Sequence, residues 1–207
     1  PQREYRELVA SSSQRSGTAF TDGMFMSSRD GSTFSIWPES FIRPGIQRPG
    51  SWLYGDNYQN WGIVETKSHL EGAPNELSFY VSEAGRQKNG NRLRRYTLRM
   101  DGFVSAQALL SGGEVVTKPL TFDGSQLEIN FSTSAAGSIR VELQDAAGTP
   151  IPGFTLADCN LQFGDQLDRT VSWKAGADVS KLAGKPVRLK MELKDANLHS
   201  FQFTAKE

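Results

Sequence analysis

Aromatic rings and carboxylates are concentrated in one proline-interrupted part of the chain. Residues 35–62 hold the rings of Trp37, Phe41, Trp52, Tyr54, Tyr58 and Trp61. Carboxylates accompany them at Glu39, Asp56 and Glu65. Flat aromatic faces stack on the apolar faces of pyranose rings, while carboxylates and amides bind hydroxyl groups. Because hydrolysis of a glycosidic bond needs two carboxylates, one acid and one nucleophile or base, this composition is typical of a glycan cleft or its rim.

The candidate substrate-binding residues combine stacking rings with polar partners. They are Arg43, Trp52, Tyr54, Asp56, Asn57, Tyr58, Trp61 and Glu65. A plainer interpretation stands beside this one, in which the tryptophans pack beneath loops and the acids lie in turns or on the surface. The density of aromatic residues in proline-rich loops, rather than in alternating strands, is what supports the sugar-binding alternative.

Two sets of basic residues can also be interpreted either as ligand-binding or as structural. Arg43 precedes Pro44, and its guanidinium could bind the carboxylate or sulfate of an acidic sugar in bidentate fashion. A structural ion pair or a contact with a backbone carbonyl is the other interpretation. A second cluster comprises Arg86, Lys88, Arg92, Arg94 and Arg95. We expect it to be the solvated face of a hairpin, with binding of an anionic polysaccharide as the alternative.

The overall composition argues against several other kinds of site. Lys plus Arg equals Asp plus Glu at 23 each, so no net charge attracts nucleic acid or an anionic membrane. The single cysteine, Cys159, is expected to be a small buried apolar residue and not a nucleophile. The two histidines, His69 and His199, belong to no Cys/His cluster with zinc spacing. We therefore expect no metal and no other cofactor.

Strand signals are clearest in the second half of the chain. Residues 139–144 and 187–194 alternate apolar with polar side chains, which puts the apolar ones on a single face. Such a face needs a second layer to cover it, so the pattern predicts an antiparallel β-sandwich, jelly-roll or lectin-like, over residues 92–207. The expected core is Tyr96, Leu98, Leu127, Ile129, Phe131, Ile139, Val141, Leu143, Leu189, Met191, Phe201 and Phe203. The fold class is therefore predicted to be all-β.

A hairpin is predicted near the start of the chain. Asp30-Gly31 lies between two apolar runs, which is a strong turn signal, and we expect Asp30 to brace the turn by accepting hydrogen bonds from backbone amides. The segment SRDGSTF (28–34) resembles the Asp-box, or BNR-type, hairpin of sialidase-like propellers. It has one residue fewer between Asp and Gly, and Phe stands in place of Trp.

Further segments match one family. They are FIRPG (41–45), NY (57–58), WGIV (61–64), ELSFY (76–80), LRRYTLRMDGF (93–103), GSIRVE (137–142) and LAGKPVRL (182–189). Together they resemble the C-terminal part of bacterial predicted glycoside hydrolases related to families 32 and 43, over about residues 20–203. Those proteins resemble a five-bladed β-propeller followed by a β-sandwich. The resemblance implies that residues 1–91 are partial β-propeller-like hairpins with aromatic loops, and that residues 92–207 are the sandwich.

The resemblance also implies a function in polysaccharide degradation. The chain would be the C-terminal region of a secreted or periplasmic glycoside-hydrolase-like protein that acts on or binds polysaccharide. The family's invertase-like Asn-Asp-Pro and Arg-Asp-Pro motifs are absent, so no catalytic residue is carried over, and we expect little or no glycosidase activity from this chain alone. A stand-alone carbohydrate-binding protein and a structural or adhesion β-sandwich module remain open as alternatives.

Partners follow from the same reasoning. We expect an oligosaccharide or polysaccharide, and as protein partner the missing N-terminal propeller part or another copy of the chain. No nucleic acid or membrane partner is expected, since no apolar run approaches the ~20 residues of a membrane span. Because the chain begins with Pro and not with Met, we expect a fragment or a chain from which a leader was removed.

Overall fold

The computed structural model of the chain describes residues 21–46, 57–84 and 92–205. Within these ranges the regular elements are antiparallel β-strands and one 3₁₀ turn, Ser180–Leu182, so the all-β class is confirmed. The chain divides into two compact units, Pro1–Arg99 and Met100–Glu207. No helix in the described ranges has the length and apolar character needed to cross a membrane.

The first unit contains a two-stranded hairpin and a four-stranded sheet. Its strands are β1 (Gly23–Ser28), β2 (Phe34–Ile42), β3 (Tyr58–Gln59), β4 (Val64–Thr66), β5 (Glu76–Glu83) and β6 (Arg92–Arg99). β1 and β2 form the hairpin. In the sheet, β6 follows one edge of β5 for its whole length, so β3 and β4 lie one after the other along the opposite edge. The sequence placed β6 at the start of the second domain, whereas its hydrogen bonds join it to β5.

A series of aromatic rings packs the hairpin against the sheet in the first unit. Phe41 of β2 stacks on Phe79 of β5 with ring centroids 5.7 Å apart, and Phe79 stacks on Tyr96 of β6 at 5.7 Å. Val81 is fully buried in the same cluster, and Leu98 packs against it. Tyr96 and Leu98 are thus core-facing, as their alternation predicted, but the core that they join is that of the first unit.

The second unit is a single five-stranded antiparallel sheet. Its strands are β7 (Ala106–Ala108), β8 (Gly113–Val116), β9 (Gln126–Asp145), β10 (Asp165–Thr170) and β11 (Val187–Thr204). β9 and β11 pair along nearly their whole lengths, from Asp145 opposite Val187 to Gln126 opposite Thr204. β10 pairs with the other edge of β9, while β7 and β8 share the other edge of β11. The sequence predicted two facing sheets here, and the hydrogen bonds form one.

Irregular chain between the strands covers the apolar face of this sheet. Val171, Trp173 and Val179 lie in the connection between β10 and β11, and they join the same buried cluster as the strand residues. Trp173 donates its indole N–H to the carbonyl of Val141 at 2.9 Å, and Trp173 is only 1% exposed. A face that needs cover can therefore be covered without a second sheet, which is where the sandwich prediction and the structure differ.

The strand residues of the core are those that the alternation predicted. The side chains that are 0–1% exposed include Leu127, Ile129, Phe131, Ile139, Val141, Leu143, Leu189 and Met191. Phe201 and Phe203 are partly buried against them, and Phe203 stacks on Phe122 with ring centroids 3.7 Å apart. Ser180–Leu182 forms the 3₁₀ turn, and Gly184 follows it with a φ of 72°.

A bulge interrupts the long β9–β11 pair. By the pairing register, residues 134–137 of β9 lie opposite Asp195 alone. Asp195 has a φ of 42°, and it shifts the inward-facing positions of β11 by one, so that Leu193 before it and Ala196 after it are both buried in the same core. A Cβ on Gly137 would lie 2.3 Å from the carbonyl oxygen of Asp195, so only glycine fits there.

Candidate functional site

The exposed face of the first unit's sheet carries two tyrosines. Side chains alternate along β5, so Phe79 and Val81 are buried while Tyr80 is 40% exposed on the opposite face. Tyr58 of β3 pairs with Ser82 and is 55% exposed, which places it on the same face as Tyr80 in a diagonal cross-strand position. The two rings therefore flank the hydroxyl of Ser82 on an open surface.

The interruption between β3 and β4 presents a third ring. The backbone N–H of Asn60 donates to the carbonyl of Tyr80 at 2.8 Å, after which the chain leaves the sheet until β4. Gly62 has a φ of 94°, a conformation that favours glycine, and Trp61 beside it is fully exposed. The side-chain amide of Asn60 donates to the Ser82 hydroxyl at 3.4 Å. A concavity of about 570 Å³ lies along residues 59–63.

We call Tyr58, Asn60, Trp61, Tyr80 and Ser82 the aromatic platform. It combines three exposed rings with amide and hydroxyl groups, which is the donor set that stacks on and hydrogen-bonds to a sugar. Tyr58 and Trp61 were predicted as site residues, and Tyr80 was not. The exposure of Tyr80 could have been predicted from the alternation of residues 77–82, which puts Tyr80 on the face opposite the core.

Two of the other predicted residues lie apart from the platform. Glu65 of β4 pairs with Leu77, so it lies on the face of the sheet opposite to Tyr58, and it accepts a hydrogen bond from the Asn75 amide at 2.6 Å. Arg43 forms an ion pair with Asp22 at 3.0 Å and donates to the Ser40 hydroxyl at 2.7 Å. These contacts correspond to the structural alternative for Arg43.

Asp22 is the acidic partner in that ion pair. Burial by itself would raise the pKa of the Asp22 carboxyl, but hydrogen bonds from Ser40 and Arg43 and the charge of Arg43 lower it. The carboxylate therefore stays ionised and fixes the Arg43 guanidinium at the end of β2.

Asn57 has unusual surroundings for a polar residue. It is only 6% exposed, its backbone has a φ of 62°, and its side-chain nitrogen has no hydrogen-bond partner among the described residues. It directly precedes Tyr58, so its backbone fixes the start of β3. The remaining predicted site residues, Trp52, Tyr54 and Asp56, lie outside the described residues, as do Arg86 and Lys88 of the basic cluster.

The described part of the basic cluster is largely paired. Arg94 forms an ion pair with Glu83 at 2.8 Å, and Arg95 pairs with Glu76. Tyr96 also donates its hydroxyl to Glu83. These arginines are bound to neighbouring carboxylates on β5, which agrees with a structural role on the surface of the sheet.

The hairpin turn around Asp30 has the geometry expected for it. One carboxylate oxygen accepts hydrogen bonds from the backbone N–H groups of Ser32 at 2.9 Å and Thr33 at 2.7 Å, and from the Ser28 hydroxyl at 3.0 Å. The amides of Thr33 and Ser32 hold the pKa of Asp30 well below its usual range. The carboxylate is therefore used in bracing the turn, as predicted.

Neither metal-ligand clusters nor a reactive thiol is found in the part of the chain that the structure describes. No group of three or more His, Cys, Asp or Glu side chains there is suited to hold a metal ion. Cys159 is 7% exposed, its sulfur accepts a hydrogen bond from the Val141 N–H at 3.2 Å, and burial raises the pKa of the thiol. A buried thiol with a raised pKa is a poor nucleophile.

The chemistry available at the aromatic platform is binding. Its rings and neutral polar groups can stack and hydrogen-bond, and none of its members is a carboxylate that could act as acid or base. No protein-family model, curated protein or solved structure matches the chain.

Proposed function

We propose that this chain is the C-terminal region of a secreted glycoside-hydrolase-like protein and that its aromatic platform binds polysaccharide. The observation that carries the proposal is the fully exposed Trp61, which follows β3 in the chain, together with the half-exposed rings of Tyr58 and Tyr80 on one face of the sheet. Burying an indole removes about 150–250 Å² from water and contributes on the order of 4 kcal/mol, so a ring left in water favours a surface that a ligand covers.

Binding without hydrolysis is the form of the proposal that the geometry supports best. Glu65, the one acid among the candidate substrate-binding residues that the structure describes, lies on the face opposite to Tyr58 and is hydrogen-bonded to Asn75. A glycosidase places two carboxylates on either side of one bond, and the platform holds none. Hydrolysis in the whole protein would then depend on other residues, with the platform holding the chain of sugars.

The propeller assignment of the first unit is part of the same proposal. A bracing Asp30, which accepts the amides of Ser32 and Thr33, supports the likeness of this turn to an Asp-box. A hairpin beside a small antiparallel sheet is compatible with the last part of a propeller. The covered sheet of the second unit would be its accessory β-domain.

Truncation of Trp61 tests the binding function. A glycan array identifies an oligosaccharide that the chain retains, and titration calorimetry then measures its affinity for wild type, Trp61→Ala, Tyr58→Ala and Tyr80→Ala. We expect each platform variant to bind about 5- to 150-fold more weakly, because truncation of a binding anchor costs about 1–3 kcal/mol. Phe34→Ala, which removes a half-exposed ring of the hairpin, is the matched control and should bind as wild type.

Melting curves accompany the binding measurements, because loss of affinity from unfolding would be a different result. Trp61 and Tyr58 are exposed, so their variants should melt within a few degrees of wild type. If Trp61→Ala and Tyr58→Ala keep full affinity, or if the array retains no glycan, the platform is not a sugar site.

A second candidate role, as a structural module that joins another β-domain, rests on the hairpin. Met24, Met26, Phe34 and Ile36 are each at least 50% exposed, and β1 and β2 pair only with each other among the described residues. Exposed apolar side chains and open edges favour a protein neighbour, either the remaining propeller part or another copy of the chain. Ile36→Lys should then lower the concentration-dependent association measured by light scattering, whereas the aromatic-platform variants should not.

A further inference from the structure

The outer face of the second unit's sheet holds a concavity that the aromatic platform does not involve. Its volume is about 730 Å³, within the roughly 300–1,000 Å³ typical of small-molecule sites. The floor is formed by charged and hydroxyl side chains from three adjacent strands: Glu114 of β8, Ser138 and Arg140 of β9, and Glu192 and Lys194 of β11. We call this floor the charged trough.

Two cations in the trough have no partner in the described part of the chain. Arg140 pairs in register with Glu192, and Lys194 with Ser138, so the four side chains share one surface. Although oppositely charged cross-strand neighbours normally attract, Arg140 forms no ion pair or hydrogen bond through its side chain with the described residues, and neither does Lys194. Both groups are exposed and available to a ligand.

The carboxylates of the trough differ from one another. Glu114 is neutralised by Lys190 of β11, whose ammonium nitrogen lies 2.9 Å from it. Glu192 interacts electrostatically with Lys190 but forms no ion pair or side-chain hydrogen bond with the described residues. The charges that remain are the two positive ones of Arg140 and Lys194 and the negative one of Glu192, so the trough has an excess of one positive charge. The Glu192 carboxylate can only accept hydrogen bonds.

This arrangement selects the chemistry of a ligand. One oxyanion would satisfy the guanidinium and the ammonium, with Ser138 as a further donor. The exposed Glu192 carboxylate can accept hydrogen bonds from the ligand, and hydroxyl groups next to the oxyanion would supply them. The exposed side chains of Leu110 and Leu161 also line the concavity and offer apolar surface to the C–H faces of a ring.

We infer that the charged trough binds an acidic sugar, with its carboxylate or sulfate on Arg140 and Lys194 and its hydroxyl groups on Glu192 and Ser138. This site lies entirely in the second unit, so it goes beyond the function proposed for the aromatic platform and does not depend on it.

Titration of the full chain with defined saccharides tests the inference. Trigalacturonic acid supplies carboxylates, a sulfated disaccharide supplies sulfate, and galactotriose is the neutral control. Amide chemical shifts should change at residues 110–114, 138–140 and 192–194 with at least one acidic probe. Galactotriose should leave them unchanged. The affinity for the acidic probe should fall as NaCl is raised, because salt screens exposed charges.

Single substitutions separate the two sites. Arg140→Gln and Lys194→Gln should each weaken binding of the acidic probe about tenfold or more, the usual loss when a charged hydrogen bond is removed. Lys118→Gln removes the same charge from an exposed residue outside the trough and should have no effect. Trp61→Ala should leave the chemical-shift changes in the trough as they are in wild type. Loss of binding at the trough can therefore be distinguished from loss of binding at the aromatic platform.

Several results would overturn the inference. Equal affinity for galactotriose would show that the anion is not recognised, and equal affinities of wild type, Arg140→Gln and Lys194→Gln would show that the trough is not the site. Chemical-shift changes restricted to residues 57–82 would assign the acidic probe to the aromatic platform. Absence of any shift in the trough with both acidic probes would also refute it.

Discussion

Leu189→Ala tests the core on which the whole second unit depends. Leu189 is 0% exposed on β11, opposite Leu143 of β9. On its other side, the backbone N–H of Leu189 donates to the Thr117 hydroxyl and its carbonyl accepts from the Thr117 N–H, both at 3.0 Å. The backbone is therefore held from both edges and cannot close over the lost side chain. Leu→Ala changes cost about 2–5 kcal/mol, with the larger values where the cavity stays open, so we expect a loss of about 3–5 kcal/mol.

Trp173 allows this loss to be measured in one unit alone. It is the only tryptophan after residue 99, and it is 1% exposed in the same core. Chain labelled with 5-fluorotryptophan would be unfolded in urea, and the fluorine signal of Trp173 would be followed by NMR. Leu109→Ala is the matched control, since Leu109 is 70% exposed and its loss should change stability by less than about 0.5 kcal/mol. Equal losses for the two variants would mean that the inward face of β11 is assigned wrongly.

Three further outcomes are expected. Gly137→Ala should destabilise the second unit by about 2 kcal/mol or more by the Trp173 assay, because the new Cβ meets the Asp195 carbonyl; an unchanged midpoint would contradict the bulge geometry. Since folding lowers the pKa of Asp30, its stabilisation of the hairpin turn is complete above the ordinary carboxyl pKa of about 3.9 and declines as pH falls below it; amide exchange at the turn should show this decline in wild type and not in Asp30→Asn. The chain alone should not hydrolyse aryl glycosides, and turnover that Glu65→Gln abolishes would contradict the separation of Glu65 from the platform.

The strands and their inward faces were predictable because alternation is a local property. Leu127 to Phe131 and Ile139 to Leu143 alternate in the sequence and are buried in the structure. Which strand pairs with which was not predictable in the same way, since alternation in β6 shows a buried side without showing that β5 covers it. Trp173 lies in irregular chain, where apolar and polar residues do not alternate regularly, so the sequence pattern did not predict its burial in the core.

The candidate site was predictable in composition and less so in arrangement. Trp61 and Tyr58 were identified from the density of rings in loops, and the structure places both in the open. Glu65 was grouped with them because it is near in sequence. Its face is set by its register with β5, which no local pattern records. The charged trough joins residues from β8, β9 and β11, so only the pairing of distant strands assembles it.

The position of β11 in the second unit has a consequence for biosynthesis. β11 pairs with β7, β8 and β9, all of which emerge from the ribosome before it. The described strands of the first unit are complete at Arg99 and can pair while the remainder is being made. β9, with its row of apolar side chains, must instead wait until residues 187–204 arrive, and such high contact order slows folding. During that delay its exposed edge is open to chaperones and to other nascent chains, which makes β9 the segment where misassembly of this protein would begin.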